Sequence, residues 1–453
     1  MELWRALKRL WRHADFRRLL ALRTVTQAAD GTLQVGIASY VLFSPQSQPN
    51  AWAIAGVLAI SLLPYTILGP FVSPLLDRWS RRNVALYSDV VRTVIAITIG
   101  GIIFSGAGSE PWGLTTLAVI LLIALSLNRF MLAGLSAGLQ HTVSEEEYLS
   151  ASSIIPTVGP LGVIIGGVLG FGTRFVFGQF LPAHQADAII FLISAGLFLM
   201  SAFVASGFGR DQLGPGSAEA STVSMSKVLH RLSDAFRHLK GRSAAAAGLL
   251  SMTVTRFLFG MLSVIVILIA RNRWHDLEEP EAALVDISAW GACTGAGFLL
   301  SAAVVPALVK AIGLRNSVLV LLGVGGLAQI PMVVSEAKWL VFVASFFVGL
   351  VAQAVKICVD GIVQAHVDEE YKGRAFTFYD MGFNGAYVLA AVTVAAFLPL
   401  DGHSPLALGL MAVAYFTLGG IFWAVSSSLG VATFDRGTED LFERGDEEPA
   451  PAT

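Results

Sequence analysis

An all-α membrane protein that crosses the bilayer through twelve helices, set in two groups of six, is the fold this sequence predicts. Three observations carry it: an apolar composition, twelve runs of membrane-crossing length, and a polar stretch that parts the first six runs from the last six. Of 453 residues, 55% are hydrophobic and 14% charged, and the mean hydropathy is +0.69. That lies well beyond the composition of an ordinary soluble chain. The formal net charge of -2 says little about partners, because the distribution of charge between loops matters more than its sum.

A helix needs about 20 mostly apolar residues to cross the hydrocarbon. Such runs lie at roughly 19–43, 51–72, 84–105, 113–139, 151–176, 186–207, 244–270, 284–309, 317–335, 338–364, 375–399 and 405–430. The chain therefore divides into an interfacial segment 1–18, a six-helix half 19–207, a linker 208–243, a second six-helix half 244–432 and an acidic tail 433–453. In the first segment Trp4, Leu7 and Trp11 share one face among basic residues, as in a helix lying on a membrane surface. No cleavage site follows the first run, so it is not read as a signal peptide. Within the linker, "VLHRLSDAFRHL" has the pattern of a short amphipathic surface helix. The tail, rich in Asp and Glu, is expected to be disordered.

Lysine and arginine set the orientation. With the N-terminus in the cytoplasm, 21 of the 30 basic residues fall in cytoplasmic segments, against four outside: Arg174, Arg271, Arg273 and Lys338. Both ends are therefore expected on the cytoplasmic side of a cell membrane. Cys293 and Cys358 both sit in apolar runs, which fits buried thiols and neither a disulfide framework nor a metal site.

The halves resemble each other. "LQHTVSEEEYLSASS" follows the fourth run and "VQAHVDEEYKGRAFT" the tenth, and a shift of 224 residues aligns Gln140 with Gln364, Val143 with Val367, Glu145 with Glu369 and Glu146 with Glu370. "PLLDRWSRRNV" after the second run has a counterpart in "PALVKAIGLRNSV" after the eighth, where Pro306, Lys310, Arg315 and Asn316 echo Pro74, Arg78, Arg82 and Asn83. Only the first copy holds an acid, Asp77. Two matches at equivalent places point to an internal duplication, a common plan of transporters.

These features together resemble the major facilitator superfamily, over essentially all the spans. Its signature between helices two and three has the form G-x-x-x-D-R-x-G-R-R, and "SPLLDRWSRR" matches it at Asp77, Arg78, Arg81 and Arg82, with Ser73 and Ser80 where glycine is usual. The resemblance implies a cytoplasmic gate, in which Asp77 meets the N-terminal end of helix eleven and the arginines pair with acids across the halves. Such a carboxylate gains about 0.3–1 kcal/mol at a helix N-terminus, a contact that rocking of the halves can break. The alternative is that the arginines only anchor topology at the lipid surface. Asp89, Arg92 and Asp380 lie nearer the cytoplasmic side and are assigned to support of this loop. "GPLGVIIGG" in span five, with Gly159, Pro160, Gly166 and Gly167, is similar to a glycine-proline pattern of proton-coupled exporters, at longer spacing. Close helix packing by glycine explains it as well. The layout resembles the bacterial multidrug and siderophore exporter branch.

Ionisable groups at mid-membrane cost about 2.5–3.5 kcal/mol each on insertion scales and mark function or a buried pair. In span one Arg23, Gln27, Asp30 and Gln34 are spaced 4, 3 and 4, and in span ten Gln353, Lys356, Asp360 and Gln364 are spaced 3, 4 and 4. Each set makes one polar stripe. Arg129 and Arg256 stand near the middles of spans four and seven. The family resemblance implies that helices one, four, seven and ten line a central cavity, so Asp30, Arg129, Arg256, Lys356 and Asp360 would face one space. Asp30 is the expected proton carrier, and the arginines suit a carboxylate or phosphate of a substrate. Two static readings stay open: Lys356 with Asp360 as an i, i+4 pair, and Asp30 with Arg129 as an interhelical salt bridge.

The resulting expectation is a secondary transporter, a proton-coupled exporter of small amphipathic or anionic compounds working by alternating access, with uptake or facilitated diffusion as the alternative. A nontransporting scaffold or receptor on the same fold is the reading from a different class. No GxxxxGK[ST] loop, HExxH or GxSxG is present, which argues against ATP hydrolysis and against an enzyme. The expected partners are a small molecule, protons and lipid, with no cofactor, metal or nucleic acid, and the chain is read as a monomer.

Overall fold

The computed structural model describes residues 10–43, 51–67, 79–214, 225–276 and 279–435. These are helical almost throughout, with no strand among the described residues. In chain order they form α1 (Ala14–Phe43), α2 (Ala51–Ile67), α3 (Arg81–Phe104), α4 (Pro111–Gly138), α5 (Glu145–Phe177), α6 (Ala183–Ser206) and α7 (Met225–Gly241). The second part has α8 (Ser243–Asn272), α9 (Pro280–Val334), α10 (Lys338–His366), α11 (Glu369–Phe397), α12 (Pro405–Leu429) and α13 (Val431–Asp435).

Among the described residues nine helices are long and apolar enough to cross a membrane. α1 is not one of them because its polar stripe lowers its hydropathy, and α2 falls short at 17 described residues. α9 departs from helical geometry at Gly313, with φ 78 and ψ 163. At about 1.5 Å per residue, the segments on either side of that break each reach about 30 Å, enough to span the hydrocarbon. Only glycine adopts such backbone angles at little cost, so Gly313 is what turns one helix into two rods.

The described residues fall into two compact units, one built on α1 and α3–α6 and the other on α7–α13, with residues 51–58 of α2 grouped with the second. In the first unit α1 and α5 lie backbone to backbone. Cβ atoms added at Gly31 and Gly166 would collide with the carbonyls of Val163 and Ala28, and one at Gly162 would sit 2.7 Å from the carbonyl oxygen of Thr24. Thr32 Oγ1 uses the closeness, donating to Ala28 O at 2.9 Å and Gly166 O at 3.0 Å. Close packing of small residues is the main attraction available to helices in lipid, which removes the hydrophobic drive between them. The opposite face of α5 is apolar and exposed, with Ile164, Val168 and Phe175 at 61%, 69% and 74%, as a lipid-facing surface must be.

The glycine pattern read from span five needs correction here. Gly159 and Gly166 are on the packing face, but Pro160 is exposed, and a Cβ at Gly167 would meet nothing within 4 Å. The packing residues recur at 162, 166 and 170, the four-residue step of one helix face.

In the second unit α7 buries Ala235 and Leu239 while Phe236, Arg237 and Lys240 stay exposed. It leads into α8 through Arg242, whose Nη2 donates to both carboxylate oxygens of Asp368 at 2.8 Å. The His238 ring stacks on Tyr371 at 4.3 Å. At the far end of α8, Arg273 donates to Glu336 at 2.8 Å and to Asp401 at 3.1 Å. Glu336 also pairs with His403, so one carboxylate joins three inter-helix turns.

Candidate functional site

Asp30 is 1% exposed, and its partner is Arg92 of α3. Arg92 Nη2 donates to Asp30 Oδ1, while Nη1 donates to Asp89 Oδ1 at 2.9 Å and to Thr26 Oγ1 at 3.2 Å. Gln27 Nε2 donates to the other Asp30 oxygen at 3.3 Å. The guanidinium carbon lies 4.0 Å from the ring centroid of Phe198 on α6. Two carboxylates thus share one cation in a site that α1, α3 and α6 close to solvent.

This arrangement bears on two readings of the sequence. Asp30 does not form a static pair with Arg129, which stands half-buried on α4. Asp89 and Arg92, assigned to the gate loop, turn their side chains to Asp30. Of the polar stripe on α1, Gln27 and Asp30 are buried, Arg23 donates to Ser136 Oγ at 3.1 Å, and Gln34 is exposed.

Asp77 and Arg78 of the gate signature lie outside the described residues. Arg81 and Arg82 begin α3, where the Ser80 side chain caps the helix by accepting from Asn83 N. Arg81 Nη1 donates to Ala137 O at 3.1 Å, His141 Nε2 at 3.1 Å and Leu213 O at 3.3 Å. Arg82 donates to Phe208 O and Ser206 O, both at 3.2 Å. Both side chains therefore tie the start of α3 to the last carbonyls of α4 and α6, where a helix end favours a cation.

In the second unit Arg256 has aromatic neighbours. Its guanidinium carbon is 4.2 Å from the Phe383 centroid, 4.5 Å from Tyr387 and 5.4 Å from Phe259. Lys356 reaches Asp360 at 3.2 Å and lies 5.1 Å from Tyr379 and 6.0 Å from Phe383. The i, i+4 pair is thus formed, beside the same ring that Arg256 touches. Gln353 is half-buried on α10. Asp380 is half-buried on α11, its backbone carbonyl accepting from Asn384 at 2.9 Å. Among the described residues no cluster of three His, Cys, Asp or Glu could hold a metal ion.

A helical membrane protein with such charges can hold an ion or a polar solute inside the bilayer. The sequence matches the Major Facilitator Superfamily over residues 26–391. The chain belongs to that superfamily. Among curated proteins, it is 30% identical over 411 residues to an MFS-type transporter of Mycobacterium tuberculosis, covering 89% of each chain. An MFS-type transporter of Bacillus subtilis is 24% identical over 395 residues, covering 86% of each. Of solved structures, the nucleoside transporter NupG matches with TM-score 0.66 at 13% identity, over 91% of this chain and 99% of that one. The E. coli fucose:proton symporter FucP matches with TM-score 0.52 at 13% identity, over 91% and 98%. At such identities these two structures speak for the fold alone.

As a member of the major facilitator superfamily, the chain is a multi-pass membrane transporter of small molecules and not an enzyme. Within it, the residues that sequence reading missed are aromatic. Phe376, Tyr379, Phe383 and Tyr387 recur on α11 at spacings of 3, 4 and 4, the same signal that picked out the polar stripes.

Proposed function

We propose that this superfamily member is a secondary active, proton-coupled exporter of small amphipathic or anionic compounds, working by alternating access between the halves 19–207 and 244–432. It works as a monomer in the cell membrane with both ends in the cytoplasm. The observation that carries the reading is the buried set of Asp30, Asp89 and Arg92. Two acids facing one guanidinium leave one negative charge in excess, and an uncompensated charge in an apolar interior is costly. One proton removes it. Proton uptake and release at Asp30 is thereby coupled to whether α1, α3 and α6 stay packed around it, which is what a transport cycle must alternate.

In the second half Arg256 and Lys356 against Asp360 leave a positive excess, suited to a substrate anion. Arg129 of the first half is assigned to substrate binding. Asp77 and Arg78 belong to the cytoplasmic gate in this reading, Asp77 as its latch. Export rests on the resemblance of the layout to the bacterial multidrug and siderophore exporters.

The test uses purified protein in proteoliposomes loaded with a pH-sensitive dye, with a panel of compounds first selected by their changed accumulation in cells lacking the protein. Wild type should move protons inward as an added compound moves outward, and Asp30→Asn should move neither in response to the gradient. Gradient-driven transport undiminished in Asp30→Asn would sink the coupling role, and gradient-driven accumulation of the compound in the opposite sense would sink export.

A further inference from the structure

Arg92, which is buried, and Arg256, which is half-buried, both stand on aromatic rings but differ in what else they touch. Arg92 lies over Phe198 and has two carboxylate partners. Arg256 lies among Phe383, Tyr387 and Phe259, and no ion pair or hydrogen bond to it exists among the described residues. Its Nε is buried without a partner. Asp360, an acid beside this ring wall, is engaged by Lys356 at 3.2 Å. Ring faces offset part of the charge. They do not supply the two in-line oxygens that the guanidinium fork is shaped to bind.

The place is built to hold that geometry. At Gly260, one turn beyond Arg256, a Cβ would meet Ala390 Cβ at 2.9 Å and Tyr387 Cδ2 at 3.2 Å, so α8 and α11 approach closely and fix the arginine against the ring stripe. Phe259 and Tyr387 are tilted by 53° at 6.0 Å, and Tyr379 and Phe383 are stacked at 6.4 Å. The wall thus offers both faces and edges to a flat apolar body. A single unmatched cation asks for a single negative charge, since a second would meet Asp360.

We propose that Arg256, Phe383 and Tyr387 form the subsite for an aromatic monocarboxylate, Arg256 taking the carboxylate and the α11 rings the aromatic body. This rests on the reading of the chain as a transporter of amphipathic anions and names its substrate class.

Isothermal titration of the purified protein in nanodiscs, with no gradient imposed, tests the subsite using 2-naphthoate, 2-naphthamide and cyclohexanecarboxylate as probes. Saturable 2-naphthoate binding is expected, with the amide and the nonaromatic acid each about tenfold weaker. Arg256→Gln should lower naphthoate affinity about tenfold or more, with Arg256→Lys intermediate. Phe383→Leu should weaken naphthoate more than cyclohexanecarboxylate. Comparing the three probes on wild type needs no variant, so the test survives if a substitution fails to fold. No saturable naphthoate binding, equal affinities for acid and amide, or an Arg256→Gln protein that binds as wild type would each overturn the proposal. Intact naphthoate binding in a protein that shows no proton coupling in proteoliposomes would sink the coupling reading and leave the subsite standing.

Discussion

Arg82 and Arg315 make the same contact in the two halves of the chain. Each stands at the start of a membrane rod, donates to the asparagine that follows it, Asn83 at 3.0 Å and Asn316 at 3.2 Å, and reaches the end of the sixth helix of its half. Arg82 does so through Ser206 O and Phe208 O, and Arg315 through the hydroxyls of Ser426 at 2.8 Å and Ser427 at 2.7 Å. Asp435 adds a carboxylate that accepts from Arg315 N at 3.1 Å. A shared three-dimensional role supports the duplication read from "SRRNV" and "GLRNSV". It also shows the arginine as an internal tie between helix ends.

Arg315→Ala is therefore expected to destabilise the protein. The side chain is 7% exposed, and charge-assisted hydrogen bonds contribute about 1.5–3 kcal/mol. An apparent melting temperature lower by about 5 °C should appear in a thermal scan of detergent-solubilised protein. Arg82→Ala should cost less, because its contact with Ser206 is exposed. Equal melting of Arg315→Ala and wild type would remove the tie.

Gly166→Ala and Gly167→Ala should separate sharply although the positions are adjacent. A methyl at 166 runs into the Ala28 carbonyl, whereas one at 167 meets nothing within 4 Å. Overpacking costs about 1–3 kcal/mol, and glycine to alanine on a free helix face gains up to about 1 kcal/mol. The yield of monodisperse protein on size exclusion should fall for the first and hold or rise for the second. The reverse order would mean that α1 does not pack on this face of α5.

Much of this architecture is legible in the chain, and what is not has a physical reason. The apolar runs predict the rods because a bilayer demands length and apolarity from any helix that crosses it. The 4, 3, 4 spacing of Arg23, Gln27, Asp30 and Gln34 groups them along α1, where Gln27 and Asp30 are buried and Gln34 is exposed. Periodicity does not say which helix lies opposite, and of the two arginines it is Arg92 of α3, not Arg129 of α4, that meets Asp30. Depth along α3 does not say which way Asp89 and Arg92 point, and their side chains meet beside Asp30. The stripe of Phe376, Tyr379, Phe383 and Tyr387 obeys the same periodicity, but it is masked by the 28 phenylalanines of an apolar chain. In "GPLGVIIGG" the adjacent pair Gly166 and Gly167 reads as a unit, whereas a helix turns them about 100° apart.

Glu336→Gln should loosen the end of the second unit that carries Arg273, Asp401 and His403. Glu336 accepts from Arg273 at 2.8 Å and pairs with His403 through its other oxygen, and Trp274 Nε1 donates to its backbone at 3.0 Å. The carboxylate is 19% exposed while Arg273 is 38% exposed, so the loss is expected near 1 kcal/mol, at the upper end for exposed pairs. Raising the salt concentration should narrow the difference in melting temperature between variant and wild type, because ions screen the exposed partners. A difference that does not respond to salt would assign the effect to packing instead.

Arg92→Gln should be the most damaging single substitution in the first unit. It leaves Asp30 and Asp89, 1% and 0% exposed, with no cation, and stripping one partner from a buried ion pair costs about 3–5 kcal/mol. Asp30→Asn and Asp89→Asn each leave one acid against one arginine, so both should fold with yields near wild type. Arg92→Gln combined with Asp89→Asn should recover part of the loss, since the two changes share a partner and are not additive. Fluorescence-detected size exclusion of the four variants ranks them directly. If Arg92→Gln gives as much monodisperse protein as the two Asp→Asn variants, the three side chains do not form one charge-coupled set, and the excess negative charge on which proton coupling was argued does not exist.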